Sequence, residues 1–134
     1  MASVGALHSL RSFRRRLPWA LGLRENMPSF ANTPNPPYYA VIFSSQRTEG
    51  DQGYSTMAAR MVELAAKQPG YLGAESARDS QGFGITVSYW ADEASIKGWK
   101  ADIEHLAAQQ RGRETWYEQF QVRVSKVERA YAMT

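Results

Sequence analysis

The feature that most constrains this chain is the way its apolar residues change period after Tyr38. Tyr38-Tyr-Ala-Val-Ile-Phe43 is aromatic and β-branched, and reads as a strand running to about Thr48. Glu49-Gly-Asp51 breaks it. Tyr54, Met57, Met61, Leu64 and Ala65 then recur at helical spacing, predicting an amphipathic helix over about 52–68 that Pro69-Gly70 ends. Tyr71 to Arg78 reads as a second strand, and Asp79-Ser-Gln-Gly82 has turn composition. Phe83, Ile85, Val87 and Tyr89 alternate with Gly84, Thr86, Ser88 and Trp90 in a third strand, expected to pair with the second as a hairpin. Asp92 suits a helix N-cap, and Ile96, Trp99, Ile103 and Leu106 form the stripe of a second helix. Phe120, Val122 and Val124 alternate in a last strand expected to end near Tyr131.

The order β-α-β-β-α-β, with right-handed crossovers and a central hairpin, predicts a ferredoxin-like α+β domain. Its four-stranded antiparallel sheet carries both helices on one face. Aromatic and branched residues fall on both faces of every strand, although an antiparallel sheet needs only one dry face. An uncovered apolar face of that size is an association site, so the expectation is a homodimer.

Composition limits the chemistry. The 134 residues suit one domain, and there is no cysteine, which excludes disulfides, thiolate metal sites and a cysteine nucleophile. Two histidines, His8 and His105, are too few for a multi-histidine metal centre, and no metal is expected. The net charge of +3 is unevenly placed. Arg11, Arg14, Arg15, Arg16 and Arg24 against Glu25 put +4 in residues 1–26 and leave −1 on the other 108. The body thus has no positive field for phosphate, and no nucleic-acid partner is expected. No Walker sequence and no Gly-x-Ser-x-Gly elbow is present.

Residues 1–37 read as a disordered basic and proline-rich tail, 38–131 as the domain, and 132–134 as a short C-terminal tail. The basic tail has three readings: a targeting peptide, an arm for an anionic partner, or an extension upstream of a start at Met27. No apolar run approaches the roughly 20 residues of a membrane span, so no membrane partner is expected. The run Leu17 to Leu23 is short, contains proline and lacks a downstream cleavage site, which argues against a secretory signal and for a cytoplasmic protein.

Several stretches of the body resemble one family. Tyr38-Tyr-Ala-Val-Ile-Phe-Ser-Ser-Gln-Arg-Thr-Glu-Gly50, Gln68-Pro-Gly-Tyr-Leu-Gly73, Gly84-Ile-Thr-Val-Ser-Tyr-Trp90, Trp99 to His105 and Val127-Glu-Arg-Ala-Tyr131 look like the antibiotic biosynthesis monooxygenase domain. The resemblance covers about 38–131 and implies a dimeric α+β barrel. It also implies a set of activities: oxygenation of aromatic polyketides or quinols without metal or flavin, haem degradation, or modification of small signalling molecules. Fold alone does not choose among them.

Haem-degrading members carry an asparagine on the first strand, a tryptophan on the second helix and a histidine further along. Here Trp99 takes the tryptophan's place, Ser44 and Ser45 stand where asparagine is expected, and Gln109 stands where the histidine is expected. His105 follows Trp99 by six residues, which at about 100° per residue turns it off the tryptophan's face. His105 reads either as a half-exposed polar-face residue or as the base or ligand, being the only imidazole in the body. Trp99 lies on the apolar stripe and reads as core or as pocket wall. Cofactor-free oxygenation needs a dry pocket, a base and an oxyanion donor. The leading assignment makes His105 and Trp99 catalytic. Tyr39, Phe43, Tyr89, Trp90 and Trp116 would line the site for a small aromatic ligand, with Ser45, Gln46 or Arg113 as donor. No cofactor is expected on this reading. Haem is the cofactor of the first alternative, and the second is a dimer that binds a small hydrophobic ligand without turnover.

Overall fold

In a computed structural model of the chain, residues 29–110 and 116–133 are described, those at 105–110 by their backbone alone. The elements are β1 (Tyr38–Arg47), α1 (Tyr54–Ala66), β2 (Tyr71–Arg78), β3 (Phe83–Trp90), α2 (Glu93–Gln110) and β4 (Tyr117–Val127). They build one antiparallel sheet in the order β2-β3-β1-β4, with β3 inserted between the two strands that α1 connects. This is the expected ferredoxin-like α+β arrangement. The last strand ends at Val127 rather than near Tyr131. Val127 pairs with Tyr38, the first residue of β1, and beyond it β4 has no strand to pair with.

Local chemistry sets the boundaries. The Asp51 carboxylate accepts from the amides of Gly53 and Ser55, and α1 starts there. Gly70 follows α1 in the left-handed region at φ +81°, where a Cβ would meet the Ser95 hydroxyl at 2.1 Å. The Asp92 side chain accepts from the Ser95 amide at 2.8 Å and caps α2. In the hairpin between β2 and β3, Asp79 accepts from the amides of Gln81 and Phe83.

Cross-strand register assigns the faces. Tyr39, Val41, Phe43 and Ser45 point to the helices, opposite Trp90, Ser88, Thr86 and Gly84 of β3. Trp90 is fully buried and stacks on Trp99 with centroids 6.1 Å apart, next to Ile96 and Ala65, while Tyr39, Val41 and Ile103 pack around them. A second cluster, around Met57 and Trp116, lies at the other end of α1. The opposite face carries Tyr38, Ala40 and Ile42 beside Tyr89, Val87 and Ile85.

Residues ahead of β1 pack onto that second face. The Ala31 amide donates to Glu75, the Thr33 hydroxyl to Tyr38, and the Tyr89 hydroxyl to Glu75 at 2.6 Å. Tyr38 and Ala40 are buried in consequence, whereas Phe83 and Ile85 stay 47% and 42% exposed. Among the described residues no helix is long and apolar enough to cross a membrane.

Candidate active site

The helix-bearing face is chemically divided. At the end away from Trp90 its β1–β4 half is aromatic and its β2–β3 half is polar, because register puts unlike residues in line. One row runs Arg78, Gly84, Ser45, Phe120, and the next runs Ser76, Thr86, Phe43, Val122. On the aromatic side Phe43 stacks on Phe120 at 5.6 Å, and Tyr117 meets Phe43 edge-on at 5.4 Å. Tyr54, from the first turn of α1, meets Tyr117 at 5.8 Å and Trp116 at 6.2 Å, both edge-on. Five rings thus form one continuous surface of offset and edge contacts, the arrangement their quadrupoles favour.

Two arginines bound this surface. The Arg47 guanidinium lies 3.7 Å from the centre of the Tyr54 ring and donates to the carbonyls of Thr48, Gly50, Asp51 and Trp116. It ties the loop before α1 to the start of β4. The Trp116 indole adds a bond to the Gln52 carbonyl at 3.0 Å. Arg78 reaches across β3. Its Nη2 donates to the Ser45 hydroxyl at 2.8 Å, and its Nη1 donates to the carbonyls of Gly82 at 2.6 Å and Ser45 at 3.2 Å. Gly84 lies beneath it, where a Cβ would come within 2.7 Å of the guanidinium carbon. Among the described residues neither arginine forms an ion pair. On the polar half, the hydroxyls of Ser76 and Thr86 are hydrogen-bonded at 2.7 Å.

The phenol of Tyr117 is held well above the usual tyrosine range. Burial is the main cause and its hydrogen bond to Tyr54 the second, while Arg78 and Arg47 pull weakly the other way. It therefore stays a neutral O–H donor at physiological pH.

The residues singled out in the sequence fall into four groups. Phe43, Ser45 and Trp116 come together in this site. Tyr39, Trp90 and Trp99 lie at the other end of the helix-bearing face, in the core, with Trp99 only 9% exposed. Tyr89 projects from the opposite face, bonded to Glu75, and so does not share a cavity wall with Phe43. The His105 side chain and Arg113 lie outside the described residues. Tyr54, Phe120, Arg47 and Arg78 were not anticipated as site residues. Gly84 in an alternating β-branched strand was the available signal, since a glycine there marks close approach by another group.

Among the described residues no cluster of histidine, aspartate and glutamate is arranged to hold a metal. Ser45, one of the two serines at the place where the haem alternative expects an asparagine, has its hydroxyl engaged by Arg78.

Comparison with known proteins agrees with the fold. A protein of Bacillus subtilis (strain 168), the uncharacterized protein YqjZ, is 55% identical over 103 residues, covering 77% of this chain and 90% of that protein. Protein SO0527 from Shewanella oneidensis superposes with a TM-score of 0.59 at 16% identity, over 72% of this chain and 96% of its own. SnoaB, a cofactor-independent oxygenase from Streptomyces nogalater, gives a TM-score of 0.55 at 11% identity, over 73% of this chain and 98% of its own. Identities this low carry the fold and not the activity. The family model for antibiotic biosynthesis monooxygenase matches residues 37–111, more than half of the sequence, and the chain belongs to that family.

Proposed function

We propose that the protein is a homodimeric monooxygenase that oxidises a small aromatic, quinol-like compound with dioxygen and without a bound cofactor. One observation carries this reading: the five-ring surface of Phe43, Tyr54, Trp116, Tyr117 and Phe120 sits beside the polar groups of Ser45 and Arg78. A flat ring stacks on such a surface while its oxygens meet donors at one edge.

The chemistry asks little else of the chain. Loss of a proton from the substrate leaves an electron-rich ring carbon, which passes electrons to dioxygen and forms a C–O bond. The O–O bond then breaks. One oxygen stays on the ring carbon in place of its hydrogen, the other leaves as water, and the quinol supplies all four electrons, two from that C–H and two as it becomes a hydroxyquinone. We assign the base to His105 on α2. Tyr117, kept neutral by burial, turns its single O–H from Tyr54 to the developing oxyanion. Trp99 acts through packing, fixing α2 against Trp90. The second subunit covers the exposed apolar residues Phe83 and Ile85.

The test is oxygen uptake by chelator-treated protein with quinols and aromatic polyketides, with labelled dioxygen to trace the atoms. The expected result is one labelled oxygen per product and a slower rate in His105→Ala. No uptake above the protein-free rate across the panel overturns the oxygenase reading. A saturable Soret shift with haemin, lost in His105→Ala, would put haem chemistry in its place.

A further inference from the structure

Among the described residues, Arg78 is held with one particular edge unspent. A guanidinium has five N–H donors in a rigid plane. Three are used: both Nη1 hydrogens, on the carbonyls of Ser45 and Gly82, and one Nη2 hydrogen, on the Ser45 hydroxyl. Because Nη1 and Nη2 both serve Ser45, the end of the fork faces that residue. The donors that remain are Nε–H and the outer Nη2–H, which are parallel and form the side edge that grips a carboxylate with two bonds.

The seat of this group is built. Ser45 is 2% exposed, Gly84 is buried, and only the absence of a Cβ on Gly84 lets the guanidinium lie over the strand. The cation also sits within reach of the aromatic surface, its carbon 5.9 Å from the centre of the Tyr54 ring and its anchor Ser45 in register with Phe120. Among the described residues no carboxylate neutralises it. Arg47, by contrast, spends four donors on carbonyls and serves as a structural tie.

We infer that Arg78 is the specificity-determining residue of this site, and that the ligand it selects is an aromatic carboxylic acid. The ring lies against Phe43, Phe120 and Tyr117, and the carboxylate takes the free edge of Arg78. The inference rests on the proposed aromatic-binding site and narrows its substrate class.

The test is calorimetric binding of 2-naphthoate and of its uncharged isostere 2-naphthamide to the full chain, with no turnover required. Wild type should bind the acid about tenfold more tightly than the amide, the order expected for a charged two-bond contact. Arg78→Gln should bind the two alike. Arg123→Gln, a loss of the same charge on the opposite face of the sheet, should keep the preference. If Arg78→Gln does not fold, Arg78→Lys decides, because it keeps the charge and loses the parallel edge; the preference should shrink there. Equal binding of acid and amide by wild type, a full preference in either Arg78 variant, or binding of neither probe overturns the inference. The oxygenase reading fails separately: acid preference without oxygen uptake sinks that reading alone, and uptake confined to uncharged compounds sinks this one alone.

Discussion

The guanidinium of Arg78 crosses the width of β3 to reach the Ser45 hydroxyl on β1 at 2.8 Å, and it does so over Gly84. The contact joins an edge strand to the central strand through side chains rather than through the ladder. Gly84→Ala should therefore destabilise the fold by about 1–3 kcal/mol, the usual cost of forcing a methyl into an occupied space. The same substitution made in an Arg78→Ala background should cost well under half of that. Equal losses in the two backgrounds, measured by urea denaturation, would show that the glycine is needed for some other reason.

Trp99 stacks on the fully buried Trp90, and Trp90 in turn meets Tyr71 edge-on at 5.3 Å. Trp99→Ala should lower stability by about 3–5 kcal/mol, as large-to-small aromatic changes in cores do. Trp99→Phe should retain most of the stability and the ligand affinity of wild type. A Trp99→Phe protein that folds well but has lost its activity would move the tryptophan from the core into the catalytic machinery.

Tyr117 offers a phenol that burial and Tyr54 keep protonated. Tyr117→Phe preserves the ring contacts with Phe43 and Phe120 and removes only the donor. Turnover should fall by about 10²-fold, the order found when an oxyanion donor is lost, with KM little changed. If KM rises and kcat holds, the hydroxyl binds substrate in its ground state and does not act on the transition state.

Tyr89 lies on the other face, and its hydroxyl is pushed up to about 12, first by burial and then by its bond to Glu75 and the carboxylate's charge. The folded state therefore holds this proton more tightly than the unfolded chain, whose tyrosine titrates near 10.0. Stability from this group is complete below about pH 10 and is lost as pH rises towards 12. The difference in denaturation midpoint between wild type and Tyr89→Phe should be constant up to about pH 10 and shrink above it. A difference that stays level to pH 12 would mean the phenol ionises alike in both states.

Much of the architecture was readable before any coordinates, for local reasons. The helix expected over about 52–68 occupies 54–66, and the turn expected at Asp79–Gly82 is closed by Asp79 itself. Period-2 and period-3.6 patterns are properties of neighbouring residues, so a single chain displays them. The family resemblance likewise rested on short runs such as Gln68 to Gly73, where Gly70 must adopt a left-handed φ against Ser95.

The site was much less readable. Alternation says that Tyr89 and Trp90 point to opposite faces, but not which face receives the helices when both are apolar. Tyr89 was expected to line the same pocket as Phe43 and Trp99, whereas the structure puts it on the far face beside Glu75 and the segment around Ala31. Phe43 and Trp99 share a face but belong to different clusters. Arg78 carries no motif, and its importance arises from strand register, which brings residues 33 positions apart into hydrogen-bond contact. By itself the sequence determined the order of elements, the fold class and the family, because these are written in local periodicity and turn chemistry. Only the tertiary structure decided which rings meet and which arginine keeps a free edge, because pairing register and helix placement are non-local choices that a single strand does not encode.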